Sequence, residues 1–264
     1  PLLESEKHAK VGHNLKYDAH VLANHGITLR GMRFDSMLES YVWNSVAIRH
    51  DMDSAAQKYL GIETIHYEDV TGKGAKQIPF SQVPVDKAAE YSAEDADVTL
   101  RLHQVLWPQI GTVPTLEKLY TEIEQPLAPV LLRMEHHGVL LDRQMLRQQS
   151  SELAKRLMEV LGEAHKEAGA PFNLDSPKQL CNILFEKMQL PVLKRTGRDR
   201  TASTAVEVLE ELALQHDICR HVLDWRGLAK LKGTYIDALP SLVNPESGRV
   251  HTQISQAVAA TGRL

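Results

Sequence analysis

Cysteine is nearly absent from this chain: among 264 residues only Cys181 and Cys219 occur. Both lie in helix-like patterns and neither belongs to a CxxC pair, which argues against a thiolate metal site and for a reducing, cytoplasmic setting. Aromatic residues make up only 5%. No apolar run approaches the roughly 20 residues that a membrane span needs, so no membrane partner is expected. The amino terminus lacks the charged, apolar and small-residue regions of a signal peptide. Basic charge is not in excess either. A net charge of −4 argues against non-specific coating of nucleic acid. The acid is unevenly spread, since residues 1–115 hold 11 Lys+Arg against 15 Asp+Glu and the remainder holds 19 of each. Internal repeats and low-complexity segments are lacking.

What is present is a 43% hydrophobic content, enough at this length for two domains. The run "AKVGHNLKYDAHVLANHGI" predicts a short strand entering a helix, with Asn14 as its cap and Gly26 as its stop. "FDSMLESYVWN" and "HDMDSAAQKYLGI" predict two further helices, the second capped by Asp51 or Asp53. "HYEDVTGKGAKQIPFSQVPVD" is predicted as a loop by its Gly and Pro content. A helix from about Pro84 to Trp107 follows, and "PQIGTVPT" marks a boundary. From Leu116 the chain is predicted mostly helical. Gly138 ends one amphipathic segment, "DRQMLRQQSSELAKRLMEVLGEAHKEAG" forms a long helix, and Ser176 with Pro177 starts another. "STAVEVLEELALQHDICRHVLDWRGLAKLKGTYIDALP" forms a pair of helices or one broken helix. "GRVHTQISQAVAATGRL" alternates enough to predict strands. Trp43, Trp107 and Trp225 are expected as core anchors.

Two stretches carry chemistry. In "YSAEDADV", Tyr91 and Asp95 are four apart on a predicted helix and share one face. In "NLKYD", Asp18 stands in the first turn of another. Cleavage of a phosphodiester with a pair of divalent ions needs carboxylates converging from separate elements, because hard cations take oxygen ligands. Asp18 and Asp95 are two candidates, and the Tyr91 hydroxyl could hold the attacking water in line. Taken alone, each acid also reads as a helix cap or a solvated charge.

The order "NLKYDAHVL", "FDSMLESYVWN", "HDMDSAAQKYLG", "YSAEDADVTLRLH" resembles the 3′–5′ proofreading exonuclease domain of bacterial family A DNA polymerases of the Klenow-fragment type. "GVLLD", "FNLDSPKQLCNILFEK", "VLDWRGLAKLKGTYIDALP" and "GRVHTQISQAVAATGRL" are similar to the thumb of those enzymes and the approach to their palm. The resemblance runs from end to end. It implies an α/β fold, a truncated ribonuclease H-like exonuclease domain over residues 1–112, followed by a mostly α-helical thumb over 113–248 and the start of a palm over 249–264.

By the same resemblance, Asp18 with Asn14 matches the second exonuclease motif, and Tyr91 with Asp95 the third, in its tyrosine form. It further implies two divalent ions, Mg2+ or Mn2+, and a parent that polymerises DNA in replication and repair. The family's first motif, an Asp-x-Glu pair on an earlier strand, has no counterpart. Glu4 and Glu6 copy its spacing, but "PLLESEK" reads as the end of a helix, so they are rejected as ligands. With the metal set incomplete, this chain alone is expected to be a weak or inactive exonuclease. The catalytic aspartates of the palm are expected beyond Leu264, which makes the chain an interior slice of a larger enzyme.

The expected partner is DNA, as a primer-template duplex and a frayed 3′ single strand, with no protein partner. "LPVLKRTGRDRTAST" sets Lys194, Arg195, Arg198 and Arg200 around Gly197. Alone it reads as a solvated turn; within the resemblance it is the tip that grips phosphates and the minor groove. Arg226 and Lys230, four apart on one helical face, match positions near template or primer, with Lys232 and Lys178 as weaker candidates. Arg263 matches an arginine near the primer terminus. No histidine is assigned to chemistry, and His13 is read as scaffolding. Two rivals stand beside this reading: a free-standing ribonuclease D-like exonuclease, and a non-catalytic DNA-binding module.

Overall fold

Lys10–Gly12 forms strand β1, and the chain turns at once into helix α1, Leu15–Ala23. The next strand, β2 (Met32–Asp35), pairs with β1 in parallel, placing Val11 beside Phe34 and Gly12 beside Asp35. These elements make one βαβ unit. Helix α2 (Ser36–Trp43) follows directly, so the predicted helix at "FDSMLESYVWN" gives up its first residues to a strand. Four residues are too few for alternation to reveal.

The computed structural model describes residues 2–197 and 200–264. Helix α3 (Met52–Ala55) is capped by Asp51, whose side chain accepts from Ser54 N–H, and continues as a π-turn over Ala56–Leu60. A short helix α4, Tyr67–Thr71, stands within the stretch predicted as loop. Helix α5 runs from Val85 to Gly111. It passes through Pro108 because that residue sits in the last turn, where a missing N–H and a displaced carbonyl disturb little of the helix. After α6 (Pro114–Leu119) and a π-turn, α7 (Gln125–His137) ends at Gly138, φ 69°. Helices α8 (Arg143–Ala168), α9 (Pro177–Cys181), α10 (Val206–Leu212) and α11 (Asp217–Lys230) complete the set. Asp142 caps α8, and Ser176 caps α9 with Pro177 at its first position.

The chain folds as two units, one made of residues 1–138 and 252–264, the other of residues 139–251. In the first, Leu38, Tyr41, Val42, Tyr120, Ala128 and Ala257 form one core, and Ala55, Ala56, Val98, Leu102 and Leu106 another. Trp107 packs on the first cluster and Trp43 on the second. In the second unit, Leu174, Leu180, Leu184, Leu209, Ile218 and Val222 are buried, with Trp225 packed against them and its Nε1–H donating to Asp175. Burying a Leu or Ile side chain stabilises by roughly 1.5–3 kcal/mol, so each unit has its own hydrophobic basis.

Three local expectations are corrected. Residues 2–7 form turns, not a helix end, and Glu4 accepts the Thr28 N–H. Asn14 occupies the cap position of α1, but in the left-handed conformation (φ 63°, ψ 51°) and without a side-chain bond to the helix. A different residue supplies the acceptor. No strand forms over residues 249–264; Val250 makes a single antiparallel bridge to Val139. Alternation there satisfies packing rather than a sheet, since Gln256 and Ala257 are buried in the first unit.

Candidate active site

Helix α1 carries Asp18 and helix α5 carries Tyr91 and Asp95, and all three line one cleft of about 830 Å³. Its walls are apolar at Val11, Leu15, Val21 and Leu29, and polar at Lys10 and Ser92. Tyr91 and Asp95 stand one turn apart on α5 and line the same cleft. Burial pushes the Tyr91 hydroxyl up to about 12, and the charge of Asp95 adds to the shift. The phenol therefore stays protonated at neutral pH and can donate while a lone pair remains to accept.

Both carboxyl groups are held above the ordinary range. For Asp18 the causes are desolvation in the cleft and then the charge of Asp35. For Asp95 desolvation comes first, Tyr91 opposes it, and Glu94 and Asp53 reinforce it. Negative charge crowded into a partly dry cleft is relieved by a cation, and hard oxygen donors suit Mg2+ or Mn2+. The donor type fits, while the number falls short: among the described residues no group of three or more His, Cys, Asp or Glu side chains is placed to hold an ion.

Sequence reasoning missed the aromatic wall. Tyr67 stacks on Phe80 at 6.0 Å, and Tyr91 approaches Phe80 at 5.8 Å and Tyr67 at 6.4 Å. Tyr67 and Phe80 lie in the stretch predicted as loop, where no periodicity marks a contact. Asn14 is not brought into this cleft. It lines two neighbouring cavities, one with Lys16, His20 and Glu135, the other with Arg49, His50 and Asp51. His13 is half-buried, its Nδ1 2.8 Å from Ser36 Oγ, and desolvation lowers its pKa.

The cationic residues of the second unit divide into two kinds. Residues 194–196 run back along residues 201–203, with Thr196 N–H donating to Thr201 O at 2.8 Å and Ser203 N–H to Lys194 O at 2.8 Å. Lys194, Arg195 and Arg200 are exposed on this turn. Lys194 pairs with Glu207 at 3.1 Å, and Arg195 Nη1 donates to Arg200 O at 2.8 Å. Arg198 lies outside the described residues. Arg226, by contrast, is half-buried and donates to Thr204 O at 2.6 Å, bracing the segment that follows the turn. Lys230 is exposed on α11 and Lys232 pairs with Asp237, while Arg263, which belongs to the first unit, is exposed there.

A βα element and a long helix bring acids and a tyrosine to one cleft, in a chain with a separate helical unit, which is the layout of a two-module protein with a polar site in its first module. Comparison with known proteins agrees. A family described as 3′-5′ exonuclease matches residues 1–111, and one described as DNA polymerase family A matches residues 143–264. The DNA polymerase I of Pseudomonas aeruginosa is 52% identical over 100% of this chain and 29% of its own length, and that of Rhizobium leguminosarum is 46% identical over 100% and 26%. A solved structure, the POL domain of Pol1 from M. smegmatis in complex with DNA primer-template and dNTP, superposes with a TM-score of 0.80 at 29% identity, covering 99% of this chain and 42% of that one. The chain belongs to DNA polymerase family A. It spans less than a third of the length of these curated relatives. The polymerase match over residues 143–264 disfavours a free-standing ribonuclease D-like exonuclease. No helix among the described residues is long and apolar enough to cross a membrane.

Proposed function

We propose that this chain is the part of a cytoplasmic DNA polymerase I that joins its 3′–5′ proofreading exonuclease to its thumb, in an enzyme of DNA replication and repair. The observation that carries the reading is the convergence of Asp18, Tyr91 and Asp95 on one cleft. Asp18 and Asp95 hold Mg2+ or Mn2+ as part of a two-ion site. When bound, the ions stabilise charge on the attacking and leaving oxygens of the scissile phosphate. Tyr91, one turn from Asp95 on α5 and packed against Phe80 and Tyr67, orients the attacking water. The exposed face of Tyr67 stacks against a base of the frayed strand, and Asn14 and Arg49 border the path of its backbone. With two carboxylates in place, hydrolysis by these 264 residues is slow.

In the second unit, Lys194, Arg195, Arg198 and Arg200 grip the phosphates of a primer-template duplex, Arg226 braces the gripping turn and Lys230 extends it. Arg263 serves the primer terminus. The fold match to a polymerase solved with DNA primer-template supports duplex as the partner.

The test is a single-stranded oligonucleotide labelled at its 5′ end and incubated with the chain in Mn2+ or Mg2+. Slow shortening from the 3′ end is expected, and none with Asp95→Ala. Shortening that persists in Asp95→Ala overturns the assignment, and none in either chain reduces the first unit to a DNA-binding module.

A further inference from the structure

One carboxylate serves the heads of two helices. Asp35 is 3% exposed. Its Oδ1 accepts from Met37 N–H at 3.0 Å and Leu38 N–H at 3.5 Å, capping α2. The same oxygen accepts from Asn14 N–H at 2.9 Å, and Oδ2 accepts from Leu15 N–H at 2.8 Å, at the head of α1. An asparagine in the cap position ordinarily spends its side-chain oxygen on the first free N–H groups of its helix. Asn14 makes no such bond. Its left-handed backbone costs roughly 1 kcal/mol and persists only where the surroundings hold it. Asp35 is what holds it.

We propose that Asp35 is a positioning residue of the exonuclease site: by taking over the cap of α1 it fixes the turn at Asn14 and leaves the Asn14 amide available to a nucleic-acid strand. This rests on the reading of Asn14 as a DNA contact. Asn14 lines the cavity that Arg49 and Ser255 also line, and its side chain makes no bond to the helix, which leaves the amide for a strand entering there. Asp18 follows on the same helix, one turn on, and its place depends on the same turn.

Two substitutions separate the roles. Asp35→Ser keeps a hydroxyl that caps α2, but it is too short to reach the N–H groups of Asn14 and Leu15. Asn14→Gly accepts the left-handed backbone and removes only the amide. Binding of a 5′-labelled single-stranded oligonucleotide is measured by fluorescence anisotropy in EDTA, with amide hydrogen exchange alongside. Asp35→Ser is expected to weaken binding about three- to tenfold. The double variant should bind within about twofold of Asn14→Gly alone. In Asp35→Ser the Asn14 and Leu15 amides should exchange faster while Met37 and Leu38 keep their protection.

Losses that multiply in the double variant overturn the inference, because they indicate general loosening. So does normal binding by Asp35→Ser beside weakened binding by Asn14→Gly. Normal binding by Asn14→Gly removes the DNA-contact reading and this inference with it, which sets that failure apart from the other two.

Discussion

Replacing Glu135 with glutamine should loosen the first unit by about 2–3 kcal/mol at neutral pH, a figure bounded by what a buried ion pair loses with one partner gone. The Glu135 side chain is 3% exposed. Its Oε1 accepts from Lys16 Nζ and from Ile254 N–H at 2.5 Å, and its Oε2 lies 2.7 Å from His20 Nε2. Lys16 also donates to Ile254 O at 2.7 Å. One carboxylate on α7 thus ties two successive turns of α1 to the segment 252–264. Removing one partner of a buried ion pair costs about 3–5 kcal/mol. The amide of Glu135→Gln would retain one acceptor oxygen and Lys16 keeps its carbonyl, which brings the loss to the lower figure.

Acidity gives the second half of this test. Burial pushes the Glu135 carboxyl up, but Lys16, the Ile254 N–H and His20 together hold it below its ordinary 4.5. A group depressed in the folded state stabilises fully above its unfolded value and loses that contribution as pH falls through the folded one. The difference between wild type and Glu135→Gln in urea unfolding should therefore be full at pH 7 and shrink below about pH 4.5. A difference under about 1 kcal/mol at pH 7, or one unchanged in acid, would refute the reasoning.

Three further outcomes follow from other sites. Burial, and secondarily the charge of Asp35, push the Glu39 carboxyl up to about 8. Its stabilisation is present below the ordinary 4.5 and lost as pH rises towards 8, at up to about 1.4 kcal/mol per pH unit. Glu39→Gln should flatten that decline, and a wild-type stability already flat between pH 5 and 8 contradicts it. Leu180→Ala, at a position with no exposure, should lower unfolding stability of the second unit by about 2–5 kcal/mol; a loss below about 1 kcal/mol places the core elsewhere. Lys194→Ala and Arg195→Ala should each reduce the logarithmic salt slope of duplex binding by about 1, and an unchanged slope removes them from the interface.

Long helices were legible because α5 and α8 run 27 and 26 residues, enough turns for a buried stripe to repeat. The caps at Asp51 and Ser176 were legible in part, since each acts on its own next turn; Asp51 and Asp53 could not be told apart. Asp35 was not, because half of its work is done on Asn14 and Leu15, some twenty residues earlier. The same holds for Glu135, whose partners lie 115 and 119 positions away. Asp18, Tyr91 and Asp95 could be singled out as motifs, yet their shared cleft depends on the packing of α1 and α5. Tyr67 and Phe80 gave no signal at all, because an aromatic contact between a short helix and a loop has no period.

The first unit is discontinuous: residues 252–264 fold with residues 1–138, although by sequence they fall within the polymerase match. Tyr41 donates to Ala259 O, Gln256 donates to Glu124 O and Glu135 accepts from Ile254 N–H across that gap. On the ribosome, a unit generally folds as soon as it emerges. This one has to wait for its last strap until the whole helical unit has been synthesised, so a nascent chain halted near residue 140 would hold the first unit in a half-fastened state.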